Sequence, residues 1–472
     1  MRPLALISLL LLGWNAGWSQ AEDWPQFRGA KSSGLAATDT ALPADIGPDK
    51  HVVWKADLPP GHSSPIVVGE RIFLTAVRDG RLVTIGLDRA SGKVLGEAEA
   101  PHEKLENIHR IGSYAQASPA SDGERVISFF GSSGLFCYDL GGKLLWKLPM
   151  GPFNNDFGAG SSPIVSGDAV ILCQDHDTDS FLMALDKHTG KTLWKVDRSE
   201  FPRNYCTPIV WEVAGKKQIV VAATLRVVGY DFETGKELWT VRGISRTVCM
   251  TPVVGDGNVL YVAGWAAGGD ADSRIVLETF EELAARVDKN QSGTLEEDEL
   301  PSGDVKRRYT QVDRDKSGTV TRAEYEFFRG LIDAGRNVVV AIKPGGEGDI
   351  TTTHVLWETN RFVPFCASPL YYRGLIFTIK DGGILACLGV QAGEAQKQKR
   401  LAATGDYYSS PVAGDGKVYL LSEEGKLTVV DAKDQWQVLA TADFGEPVFA
   451  TPALVAGRIY LRTQGHLYCF GN

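Results

Sequence analysis

The chain has 472 residues, 43% of them hydrophobic, enough to bury a large core as one repeat domain or as two to three ordinary ones. Its 58 acidic and 49 basic residues leave a net charge of −9, which excludes a general nucleic-acid binder, because such a protein needs a basic surface. The 52 Gly and 22 Pro argue for many short strands joined by turns.

Residues 1–21 read as a signal peptide: Arg2 supplies the positive end, Leu4 to Leu12 the apolar stretch, and Ser19-Gln20-Ala21 the small-residue cleavage pattern. That apolar run is too short to span a bilayer and no second long one follows. The expectation is an exported protein, periplasmic or secreted, with no transmembrane segment in the mature chain. Residues 22–50 are expected to be an extended segment that opens Asp23-Trp24-Pro25-Gln26-Phe27-Arg28-Gly29.

From residue 51 the chain repeats. Ser-Pro or Thr-Pro recurs at Ser64, Ser118, Ser162, Thr207, Thr251, Ser368, Ser410 and Thr451, with spacings of 54, 44, 45, 44, 117, 42 and 41. Each opening is followed by short alternating apolar runs and then a closing turn, as in Asp186-Lys187-His188-Thr189-Gly190. Asp there bonds its own backbone and Gly takes positive φ. A Trp follows in the last strand, at positions 146, 194, 239, 357 and 436. Four short strands in some forty residues is the period of a propeller blade. The eighth unit stops after three strands, and residues 51–58, with Trp54 matching Trp194, form an orphan last strand at the front. Pairing the two closes a ring and removes the open sheet edge. The fold class is therefore all-β, an eight-bladed propeller closed by its N- and C-terminal strands. An open stack of β units is the alternative, but it would not need a last strand left at the front.

The spacing of 117 marks an insertion at residues 271–336, in blade five between its second and third strands; the propeller thus occupies residues 51–270 and 337–472. The insertion turns to a helical mixture of Glu, Ala, Leu, Asp and Arg. Two twelve-residue loops stand in it, starting at Asp288 and Asp313. Calcium takes six to eight oxygens, and such a loop presents them at positions 1, 3, 5, 7, 9 and 12. These are Asp288, Asn290, Ser292, Thr294 (backbone carbonyl) and Glu299 in the first, with Glu296 at position 9, and Asp313, Asp315, Ser317, Thr319 and Glu324 in the second. Gly293 and Gly318 allow the sharp turn, and Leu295 and Val320 are placed to pair the loops through a short strand contact. The insertion resembles an EF-hand pair and implies two calcium ions; a solvated acidic hairpin is the alternative. The loops start only 25 residues apart with Pro301 between them, so a compact self-stabilising lobe is expected rather than one that opens.

The blades resemble the PQQ-like propeller repeat family through Ala184 to Lys195 (ALDKHTGKTLWK) and Tyr230 to Trp239 (YDFETGKELW), and the Asp23 to Gly29 opening is similar to the mature start of many exported members. Quinoprotein dehydrogenases of that family carry PQQ above the channel with a calcium ion, a catalytic Asp and often adjacent cysteines. No two of the seven Cys here are adjacent and no Asp matches that context, so PQQ is not expected. Other relatives are non-catalytic, among them the propeller lipoprotein of the outer-membrane barrel assembly machinery.

Segments before each opening strand are expected to converge on one channel mouth. They carry His109, Arg110, Asp156, Arg198, Arg203, Arg246 and Arg361, interleaved with Asn and Tyr. Five Arg in an acidic protein suit a polar or anionic ligand through forked hydrogen bonds; the plain alternative is that loop residues are polar and Arg caps blade ends. The expected role is a non-catalytic binding or scaffold module with a protein or an anionic ligand at that face. The competing role is an enzyme there, a PQQ-dependent oxidoreductase or a hydrolase. No nucleophile elbow, zinc pattern or phosphate loop is present, and Glu103, Glu106 and Asp156 are unmarked carboxylates. Cys137, Cys387 and Cys469 hold one repeat position in three blades and are expected to be separate buried hydrophobes. A pair among Cys206, Cys249 and Cys366 is left open.

Overall fold

The computed structural model describes residues 23–472, so the signal-peptide reading of residues 1–21 lies outside the described residues. Among the described residues the chain forms eight sheets, each with a core of four antiparallel strands. In the third blade the strands are Ile164–Ser166, Ala169–Gln174, Phe181–Asp186 and Thr192–Asp197. All residues of the second strand are buried, whereas the fourth alternates between exposed and half-buried. A middle strand has neighbouring blades on both faces and so needs apolar residues throughout; the outer strand faces solvent.

The ring closes as the sequence implies. Val52–Asp57 pairs antiparallel with His466–Phe470, bringing Trp54 opposite Cys469 and Asp57 opposite His466. The eighth blade is thus completed by the front of the chain, and the fold is a closed eight-bladed β-propeller.

The recurring Ser/Thr at the blade openings has a structural cause. The amide of Ser64 donates to the Ser118 hydroxyl at 2.9 Å, Ser118 to Ser162 at 3.0 Å, and Ser162 to Thr207 at 3.0 Å. Thr251 donates to Ser368, Ser368 to Ser410, Ser410 to Thr451, and Thr451 back to Ser64, each at 3.0 Å. The openings therefore form a belt of hydroxyl-to-amide bonds running one way around the channel. The belt lacks its Thr207-to-Thr251 bond among the described residues, and the Thr251 hydroxyl is buried without a partner.

The closing turn and Trp join blade to blade. The indole N–H of Trp146 donates to the carbonyl of Lys187 in the next blade at 2.9 Å, and Trp54, Trp194 and Trp357 do the same to Arg89, Phe232 and Val390. Each indole lies over the Gly of that turn: a Cβ on Gly190 (φ 70°) would stand 2.6 Å from Trp146. Gly190→Ala is expected to cost about 1–3 kcal/mol, from positive φ plus overpacking, read as a lower midpoint in urea unfolding. Trp239 departs from this pattern. Its indole N–H donates to Gln218 in its own blade at 2.7 Å, because blade five has no such turn and a fifth strand, Gly348–Asp349, instead covers Glu237–Arg242 in parallel.

The extended segment after residue 22 is stitched onto the blade openings. Trp24 pairs with Val67, and the fully buried Arg28 donates to the carbonyls of Pro369 (2.9 Å), Ser32 (3.2 Å) and Ser33 (3.3 Å). With only carbonyls around it, burial lowers the Arg28 guanidinium to about 9. The insertion in blade five folds as helices Phe280–Val287, Asp304–Arg307, Tyr309–Val312 and Arg322–Ala334, with a hydrophobic cluster of their own that includes Phe280, Leu295, Val320 and Tyr325.

Candidate functional site

A cavity of ≈ 600 Å³ occupies the channel mouth, floored by the hydroxyl belt. The residue two places before each opening Ser or Thr lines it in all eight blades, from His62 in the first to Phe449 in the eighth. The rings among these residues and their neighbours form a collar. Trp265 meets Phe365 at 4.8 Å between centroids, Tyr408 meets Phe449 at 5.4 Å, and Phe449 stacks on His62 at 3.9 Å. Burial and then Arg462 lower the His62 imidazole to about 4, so it meets Phe449 as a neutral ring.

Opposite in character is the cationic part of the wall. Arg203 and Arg246 come from the blades, Arg307 and Arg308 from the insertion together with Gln311, and Phe27 from the extended segment. No lining residue is acidic among the described residues. Arg203 is held by the buried Asp177 and by Asp156 at 3.0 Å. Among the described residues Arg246 meets no carboxylate, and it donates to the Ala267 carbonyl at 3.4 Å. Burial, then Arg308 and Arg203, lower it to about 10, so it stays charged at neutral pH. Among the described residues, three buried N–H donors around the cavity have no acceptor: Arg246 Nε, Arg203 Nη1 and Trp265 Nε1. A buried donor left unmade costs about 1–3 kcal/mol, so this set asks for acceptor oxygens.

The other residues expected at the mouth do not line the cavity. Arg198 is fully buried, forked onto Asp175 at 2.9 and 2.8 Å and lying 4.2 Å from the Phe201 ring, which makes it part of the blade interior. His109 and Arg110 are exposed, His109 resting 5.2 Å from Phe157, and Arg361 is exposed beside Phe362. Asp156 braces Arg203 without lining the cavity. Sequence reasoning missed the collar and the insertion's Arg307, Arg308 and Gln311. The signal for the collar was present as the position two before each opening.

The insertion is bound to the blades next to this cavity. Arg203 donates to the Thr310 carbonyl at 2.7 Å, Asn154 to the Arg314 carbonyl at 2.8 Å, and Arg314 to the Asp177 carbonyl at 2.8 Å. Lys316 stands 3.4 Å from Asp177. In that second loop the carboxylate oxygens of Asp313, Asp315 and Glu324 all lie within 4.8 Å of one another. Asp313 accepts from the amides of Ser317 (3.1 Å) and Gly318 (3.0 Å), which orients its oxygens inward. In the first loop Asp288 accepts the matching pair from Ser292 and Gly293, at 3.1 and 3.0 Å. Leu295 and Val320 pair antiparallel through two 2.9 Å bonds, as their positions implied.

A closed ring with a lined central cavity and an inserted lobe at its mouth defines the class: a repeat β-propeller with a ligand-sized chamber on its axis. A family model described as outer membrane protein assembly factor BamB matches residues 35–156 and 85–273, together just over half of the chain. The chain belongs to this PQQ-like propeller repeat family. No curated protein matches the sequence. Among solved structures it is similar to BamB from Moraxella catarrhalis, at 13% identity and TM-score 0.53 over 89% of this chain and 98% of that one. It is also similar to quinohemoprotein alcohol dehydrogenase from Comamonas testosteroni, at 12% identity and TM-score 0.56 over 97% and 82%. A computationally designed protein, Ika8, aligns at 12% identity and TM-score 0.54 over 89% and all of its chain. At such identities the likeness is one of fold.

Proposed function

We propose that this protein is an exported, calcium-binding propeller that works as a non-catalytic binding module, and that its ligand is a small oxyanion-bearing molecule held in the axial cavity. The carrying observation is the wall chemistry: four Arg, three buried donors without acceptors and no acidic group, in a protein of net charge −9. The two inserted loops would hold calcium through Asp288, Asn290, Ser292, Thr294 and Glu299, and through Asp313, Asp315, Ser317, Thr319 and Glu324. The clustered carboxylates of the second loop support this. The ions would order the lobe whose Arg307 and Arg308 complete the wall. The lining does not fit a quinone with its calcium, because it offers no carboxylate to hold the cation or to take a proton from an alcohol. The signal-like residues 1–21 and the family's outer-membrane assembly member support export, to the periplasm or beyond.

The test is calorimetric titration with citrate, glucuronate and inorganic phosphate. At least one should bind the natural protein, and Arg246→Ala should weaken that binding about 10- to 100-fold, the worth of a charge-assisted hydrogen bond. Absence of binding by all three, or an unchanged affinity in the variant, would refute the reading.

A further inference from the structure

Cys249 and Cys366 occupy the collar position, two before the opening residue, in blades five and six. Both line the cavity and both are partly exposed, whereas the other five cysteines are buried inside blades. Equivalent residues of neighbouring blades are far apart at the rim of a propeller and close together at its axis. At this position the rings of His62 and Phe449, on blades one and eight, stack at 3.9 Å. Between blades five and six this position holds a cysteine on each side, Cys249 and Cys366, and both face the same cavity. Two residues further on, the Thr251 amide donates to the Ser368 hydroxyl at 3.0 Å and fixes the height of one strand against the other.

We propose that Cys249 and Cys366 are a redox modification site that closes to an interblade disulfide. The oxidant is another disulfide, of a small thiol or of a dithiol protein. The Cys249 thiolate attacks one sulfur of the oxidant, forms a mixed disulfide and expels one thiolate. The Cys366 thiolate then attacks the Cys249 sulfur and expels the second. Two electrons pass to the oxidant, and the two thiol protons go to the leaving thiolates. The neighbouring Cys249 thiol, followed by burial, pushes the Cys366 thiol well above its ordinary range, so Cys366 rests as a neutral thiol and exchange quickens as pH rises.

The chain between the two cysteines contains all of blade five and the helical lobe. Oxidation would tie this stretch at its base and restrict its unfolded states, which is where a long closed loop gains most in the chain-entropy account. The site is independent of the anion reading, since it needs no ligand in the cavity.

The experiment takes the full mature chain, equilibrated with oxidised or with reduced glutathione, then denatured, alkylated, weighed and mapped by proteolysis. The oxidised sample should be two hydrogens lighter, with five alkylated cysteines and one cross-linked pair, Cys249 with Cys366. Its heat-unfolding midpoint should rise by several degrees over the reduced sample. Cys249→Ser or Cys366→Ser should abolish both changes, and Cys206→Ser neither. Seven alkylated cysteines after oxidation, or a cross-link through any other cysteine, would overturn the proposal. The peptide map of the natural chain decides this even where a serine variant folds poorly.

Discussion

Arg198→Ala is expected to destabilise the propeller by about 3–5 kcal/mol, the range for breaking a buried ion pair from one side. The Arg198 side chain is 0% exposed and that of Asp175 is 1%. Asp175 would keep only the Asn204 amide at 3.3 Å and the Cys173 thiol at 3.6 Å, too little to satisfy a buried carboxylate. Arg198 also donates to the Tyr230 hydroxyl and lies against Phe201, so the variant leaves a hole as well as a charge. Denaturant unfolding checks the value, and Arg198→Met with Asp175→Asn should recover much of the loss, because an apolar and neutral pair removes the stranded charge. By contrast, Arg226→Ala should cost far less, since its partners Glu200 and Glu237 are 60% and 40% exposed and return to water.

On the proposed calcium and anion sites, treatment with a chelating resin is expected to loosen residues 280–334 and to weaken anion binding about tenfold, while leaving blade unfolding unchanged. An ion bound only by the folded lobe would add about 2.7 kcal/mol to its stability at a hundredfold excess over Kd. Its link to the cavity is short. Gln311 in the wall stands two residues before Asp313, and Arg203 in the wall donates to the Thr310 carbonyl. A coupling of about 1–3 kcal/mol is ordinary for two sites sharing such a network, and it must act in both directions. Hydrogen exchange reads the lobe, and calorimetry with the same anion reads the cavity. Arg314→Ala removes bonds to the Asp177 and Ser199 carbonyls without touching a calcium ligand. It should keep calcium uptake but lose the effect on the cavity. Global unfolding on calcium removal would contradict the expectation.

Much of the fold was legible because its signals are local and repeated. A Ser/Thr-Pro opening, an Asp-to-Gly turn and a Trp each mark one place in a blade, and the shortfall at residue 472 met the surplus at Trp54. The helical insertion was legible from an abrupt shift in composition. What sequence could not give was radial position. Arg198 and Arg203 lie five residues apart in one loop, yet one is sealed between blades and the other lines the cavity. Burial there is decided by neighbouring blades, which a single repeat does not encode. Trp239 broke its pattern for a similar reason, since its partner turn was displaced by the irregular blade that follows.

The hydroxyl belt has a further consequence. Seven of its joints are hydroxyl-to-amide bonds, whereas the blades that open at Thr207 and Thr251 are joined by the Tyr205 amide on the Val248 carbonyl at 2.9 Å and the Val248 amide on Asn204 Oδ1 at 3.0 Å. Arg246 and Thr247 stand on the stretch joining those two blades. The cation with no carboxylate beside it thus stands at the one joint of the ring whose fastening uses an asparagine side chain in place of a belt hydroxyl.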